Sequence, residues 1–155
     1  KGCNLGGLWA TSGGEIFVKV LFDTNVILDL LLDREPFADD AARCFSRVEQ
    51  GEIEGFLCAT TLTTLHYLIS KSLSTKSARE SIQLLLSFFQ VAPVDRVVLE
   101  GALTLGFKDF EDGVLHEAAR AAGVDLIVTR NIVDFKRSKI QVRLPANLLA
   151  IKDRE

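Results

Sequence analysis

Methionine is missing from these 155 residues, histidine occurs twice, and tryptophan and tyrosine occur once each. Cysteine is sparse too. The three thiols, Cys3, Cys44 and Cys58, are odd in number and lack CxxC spacing, which excludes a disulfide framework and fits reduced core thiols in a cytosolic protein. No apolar run approaches the roughly 18 residues of a membrane span, and the first residues lack the basic start and apolar centre of a signal peptide. A soluble, cytoplasmic protein with no membrane partner is therefore expected. Charge of one sign is also lacking: a formal net charge of −3 provides no global attraction to nucleic acid or anionic lipid. Basic residues nevertheless gather locally, at Arg130, Lys136, Arg137, Lys139 and Arg143.

What the chain has in quantity is apolar surface, with 48% hydrophobic residues. That suffices for one core and not for two ordinary domains. The opening KGCNLGGLWATSGG carries five of the eleven glycines and no initiator methionine. Residues 1–15 are set aside as a leader or an arm derived from cloning, with Trp9 the one feature that suggests docking, and residues 16–155 are read as a single domain.

IFVKVLFDTNVILDLLL is the most informative stretch, because an apolar strand delivers one carboxylate, Asp23, into a polar turn before a second apolar run. In a parallel sheet, the carboxyl ends of the strands line the crevice where ligands bind. The pattern then predicts a short helix over 25–33 and a second from Pro36 to a stop at Gly51, with Phe37, Ala41, Cys44, Phe45 and Val48 on one face. A strand over 55–59 precedes a helix through TTLTTLHYLISK, its hydroxyl residues suited to a cap. Ser74 or Thr75 caps the next helix, whose core candidates are Ile82, Leu85, Leu86 and Phe89. A strand over 91–94, a helix from Asp95 to about Gly106, a helix over 109–122 closed by Gly123, a strand over 125–129 and an edge strand over 140–144 complete the series. Strands alternating with helices predict an α/β fold: three layers, with a mainly parallel sheet of about five strands and right-handed crossovers.

Four acids fall at element ends that this topology brings to one side: Asp23, Asp109, Asp112 and Asp134. Each has an ordinary reading. Asp23 and Asp109 are good helix caps, and Asp134 is a solvated loop acid beside Lys136 and Arg137. Asp112 is harder to dismiss, because it shares a helical stripe with Leu115 and Ala119 and an acid at a buried edge needs a compensating partner. Carboxylates gathered closely cannot all stay ionised without a cation. Oxygen ligands with no paired histidine or cysteine cluster point to Mg²⁺ or Mn²⁺, and the matching chemistry is phosphodiester hydrolysis.

FDTNVILDLL, followed by DFEDGVLHEAARAAGVDLIVTRNIVDF, resembles the PIN domain family of metal-dependent ribonucleases over roughly residues 16–145. The resemblance implies a Rossmann-like sheet, bound Mg²⁺ or Mn²⁺, and RNA as substrate. Small bacterial members of similar size are toxins of toxin–antitoxin pairs, which implies a small antitoxin protein as partner. Apolar residues on the second and fourth helices would serve either a homodimer or the core. Carried onto this chain, Asp23 and Asp112 match family acids, and Asn25 matches a supporting polar residue.

Two positions depart from the family pattern. Thr64 stands where a glutamate is usual, and Asn131 where a fourth acid follows the strand-end Thr129, with Asp134 as its substitute. Fewer carboxylates imply weaker metal affinity. Asp23, Asp112 and Asp134 are therefore the expected catalytic and metal-binding acids, with Asn25, Thr64, Asp109, Thr129 and Asn131 in support. Arg130, Lys136, Arg137 and Lys139 are the RNA-binding candidates, although such a basic edge also simply discourages strand addition. His66 reads as a partly buried, satisfied histidine, and His116 faces either the site or solvent.

Two other functions compete with an endoribonuclease. A catalytically weakened PIN-fold module that binds RNA or protein is motivated by Thr64 and Asn131. A flavodoxin-like phosphoacceptor domain fits poorly, since Asp23 stands alone after Phe22 and Val94 is followed only by Asp95.

Overall fold

The computed structural model describes residues 17–149. Within them, five strands, β1 (Lys19–Phe22), β2 (Glu54–Cys58), β3 (Gln90–Ala92), β4 (Leu126–Val128) and β5 (Gln141–Arg143), form one sheet in the order β3-β2-β1-β4-β5. Every pairing is parallel, so the sheet is wholly rather than mainly parallel. The helices are α1 (Thr24–Leu31), α2 (Ala38–Glu49), α3 (Ala59–Ser72), α4 (Thr75–Phe88), α5 (Arg96–Thr104), α6 (Phe110–Ala121) and α7 (Pro145–Leu149), with a 3₁₀ turn at Ile132–Phe135.

Strand alternation sorts the core into two layers. Val20 and Phe22 of β1, Leu57 of β2 and Leu126 and Val128 of β4 pack with side chains of α1 to α4, including Val26, Ile27, Cys44, Leu65 and Leu85. Leu21, Phe56, Cys58 and Ile127 point the other way, onto Val98, Ala102, Val114, Leu115 and Ala118 of α5 and α6. Both faces are covered, as an all-parallel sheet requires. Cys44 and Cys58 are buried free thiols, in line with their sequence reading, while Cys3, Trp9 and the rest of residues 1–15 lie outside the described residues.

Local chemistry sets most helix starts. Ser74, Asp95 and Asp109 each accept a backbone N–H from the first turn of α4, α5 and α6. The expected hydroxyl cap of α3 is not formed: the helix begins at Ala59 behind Cys58, one residue before the threonines, and no side chain caps it. Likewise α2 starts at Ala38, with Pro36 just outside and Phe37 in the cap position, 40% exposed rather than in the core. Leu86 is also solvent-facing at 52%, because α4 turns Leu85 inward, with buried Phe89 just past its end, and leaves Leu86 on its outer side. Gly123 ends α6 with φ +72°, a left-handed conformation that glycine adopts without penalty.

Candidate active site

The strand order places a switch point between β1 and β4: the chain runs outward from β1 through β2 to β3, then returns to add β4 on the other side of β1. Crossovers diverge there and leave a crevice beyond the carboxyl ends of both strands. Asp23 follows β1 and Thr129 follows β4, so the two flank that crevice. The Asp23 N–H continues the ladder by donating to the Val128 carbonyl at 2.9 Å.

Asp23 is buried and divides its carboxylate between two tasks. Oδ1 caps α1, accepting from the Thr24 N–H at 2.8 Å, while Oδ2 accepts the Thr129 hydroxyl at 2.8 Å and the Asn25 amide at 3.3 Å. The cap and the site are thus the same residue. Fully buried Thr129 also accepts the Asn131 N–H at 3.0 Å, and the Asn25 amide oxygen accepts the Arg130 N–H at 3.4 Å. Asn25 and Thr129 therefore meet at Asp23 through their side chains, and Asn131 joins through its backbone.

From the other side, Asp109 caps α6 by accepting the Glu111 N–H at 2.8 Å, and Asp112 stands half-buried in the first turn. Burial, and then the nearby charges of Asp23, Asp109, Asp134 and Glu111, push the Asp112 carboxyl up to about 7. Asp23 is also held above its ordinary range, by burial most of all; the bonds from Thr129 and Thr24 offset part of this, and Asp134 and Asp109 add to it. Asp112 thus feels the charges of the three other expected acids, and Asp23 feels those of Asp134 and Asp109. Asp134 acts from the exposed 3₁₀ turn.

Charges act over longer distances than ligand bonds. Among the described residues no three histidine, cysteine, aspartate or glutamate side chains stand close enough to enclose a metal ion. The donor chemistry instead fits a hard dication held on one or two carboxylates and otherwise by water, as Mg²⁺ commonly is. Thr64, at the place of the missing glutamate, donates toward Glu111 Oε1 at 3.5 Å. A carboxylate from α6 thus stands where α3 supplies none. Sequence reading passed over Glu111, whose proximity to Thr64 is purely tertiary.

A second missed group lies on α1. Asp29, 1% exposed, accepts from Arg130 Nε at 2.6 Å and Nη2 at 3.2 Å, and from Arg34 Nε at 2.9 Å. Arg34 also donates to the Asn25 carbonyl at 3.2 Å, and the Arg130 guanidinium lies 3.9 Å from the centroid of the Phe37 ring. The available signal was a single charge inside the otherwise apolar run VILDLL. Of the RNA-binding candidates, Lys136, Arg137 and Lys139 are exposed, whereas Arg130 is committed to Asp29. His116 faces neither site nor solvent: it is fully buried, and its Nε2 accepts the Lys139 N–H at 3.1 Å. His66 is half-buried.

A family profile described as PIN domain matches residues 19–133. The chain belongs to the PIN domain family. No curated protein matches it in sequence. Solved PIN-fold structures resemble it closely in shape and weakly in sequence. The VapBC2 complex of Rickettsia felis, bound to a DNA fragment from its promoter, has a chain that superposes with a TM-score of 0.64 at 16% identity, over 82% of this chain and 98% of that one. FitAcB from Neisseria gonorrhoeae gives 0.64 at 20% identity, with coverage of 82% and 98%. VapC20 of Mycobacterium tuberculosis, a toxin that cleaves the sarcin-ricin loop, gives 0.59 at 14% identity, with coverage of 70% and 86%. At these identities the likeness carries the fold.

Proposed function

We propose that this PIN domain is an endoribonuclease that hydrolyses RNA phosphodiester bonds with the help of Mg²⁺ or Mn²⁺, and that it is the toxin of a toxin–antitoxin pair. One observation supports the reading above the others: Asp23 and Asp112, 89 positions apart in sequence, share one electrostatic field at the sheet's switch point, and each is held above its ordinary range. Asp23 and Asp112 would hold the ion, with Asp134 at the rim and Asp109 adding negative charge. When bound, such an ion activates water and neutralises charge developing on the phosphate. Asn25 and Thr129 fix the rotamer of Asp23, so that one of its oxygens stays committed to the α1 cap. Exposed Lys136, Arg137 and Lys139 would hold the RNA backbone beside the acids, which makes binding salt-sensitive and weakly dependent on sequence.

An antitoxin partner is supported by the likeness in fold to a toxin–antitoxin complex from Klebsiella pneumoniae, and exposed Val97 and Leu103 on α5 provide apolar surface for a protein contact. A homodimer would draw on exposed Leu84 and Leu86 of α4. Such a toxin acts on RNA in the cytoplasm. Among the described residues no helix is long and apolar enough to cross a membrane.

The test is incubation of the purified chain with RNA and millimolar Mn²⁺ or Mg²⁺. Cleavage is expected, lost on chelation and reduced at least about 100-fold in Asp23→Asn and Asp112→Asn. Cleavage that persists in both variants would remove the assigned site. That no three acidic, histidine or cysteine side chains gather among the described residues favours one rival, a catalytically weakened PIN-fold module that binds RNA or protein. RNA binding with neither cleavage nor a metal-induced thermal shift would establish that rival instead.

A further inference from the structure

We infer that Asp29 is a positioning residue for the active site: acting through Arg130 and Arg34, it holds the Thr129–Asn131 turn against α1 and so fixes the orientation of Asp23. The inference rests on the ribonuclease reading for its kinetic consequences and on the hydrogen-bond geometry alone for the placement.

The hydrogen bonds of the Asp29 carboxylate go to Arg34 and Arg130. That carboxylate is completely buried, and both oxygens are engaged, Oδ1 by Arg34 and Arg130 and Oδ2 by Arg130. Arg130 reaches it with two guanidinium nitrogens, a fork geometry that fixes direction as well as distance. Arg130 is also the residue after Thr129, and its own N–H donates to Asn25. Anchoring its side chain therefore sets where the backbone leaves β4. That exit in turn sets the Thr129 hydroxyl, which donates to Asp23 Oδ2 at 2.8 Å. Arg34 adds a second arm by donating to the Asn25 carbonyl at the start of α1. Two arginines and one carboxylate thus tie the end of β1, the first turn of α1 and the end of β4 into one unit.

Stability alone is a poor explanation for this cluster. Taking charges out of water is costly, and buried ion pairs are often replaceable by apolar side chains with no loss of stability. Orientation is what a bidentate pair adds. Groups that hold a metal-binding or reacting side chain from behind typically matter about 10- to 100-fold in activity.

The experiment measures RNA cleavage by the full chain with Mn²⁺ in Arg130→Lys, Arg34→Gln and Asp29→Asn, each checked for folding by circular dichroism. Lysine keeps the positive charge but cannot form the fork. Positioning therefore requires Arg130→Lys to lower kcat about 10- to 100-fold with KM within about threefold, with Asp29→Asn matching it and Arg34→Gln intermediate. Parent-like kcat in Arg130→Lys, or a loss confined to KM, would make Arg130 a simple phosphate contact and overturn the inference. If Asp29→Asn does not fold, the two arginine variants decide the matter. If the parent chain cleaves no RNA, the ribonuclease reading fails on its own. Amide hydrogen exchange at Arg130 and Asn131 then decides the placement: faster exchange in Arg34→Gln and Arg130→Lys sustains it, and unchanged exchange overturns it.

Discussion

Asp112 shows how a single side chain records its surroundings. A carboxyl whose ordinary value is 3.8 and which is held near 7 destabilises the folded state once it must ionise. Below 3.8 both folded and unfolded chains keep the proton, and the group costs nothing. As pH rises from there toward about 7, the unfolded chain ionises first, so stability falls, and the full cost is present above 7. Metal-free Asp112→Asn should therefore match the parent near about pH 4 and exceed it near about pH 8. The gain should be on the order of 1–2 kcal/mol, since solvent screens a half-buried group. Urea melts at the two pH values measure it, and a variant less stable at both would refute it. The element ends that hold Asp23 and Asp112 were legible in the sequence because the pattern of each element is local. The partner of Asp29 was not, since Arg130 lies 101 positions away and only folding brings the two together.

At the level of elements, the docking of α6 on α5 carries Asp112 to the crevice. Gly113, the next residue, makes that approach: a Cβ there would stand 3.3 Å from the Ala102 carbonyl oxygen and 3.5 Å from the Ala102 Cβ. Gly113→Val should push the helices apart and destabilise the protein by about 1–3 kcal/mol, read as a lower Tm. An unchanged Tm would show that the helices yield without cost. Capping by Ser74, Asp95 and Asp109 could be read from sequence because a cap involves neighbours only. The outward turn of Leu86 could not, because helical spacing places it as close to the apolar face as Leu85, and only the tertiary placement of α4, which buries Leu85 and leaves Leu86 exposed, decides between them.

The molecule as a whole supplies what no element contains. Five parallel strands were foreseeable from alternation, but the order β3-β2-β1-β4-β5, which opens a crevice between β1 and β4, follows from how the crossovers pack on both faces. That order brings the turn after β1 beside the turn after β4, with α6 opening nearby, and makes acids from three distant segments repel one another. Shared repulsion at one place, relieved by a dication, is the claim on which the functional reading stands. The most direct measurement is a carbon-13 carboxyl NMR titration of Asp112 in the metal-free chain. A midpoint near 7 that falls on adding Mg²⁺, and falls in Asp23→Asn, is the expected result. A midpoint near 3.8, unmoved by either change, would contradict it.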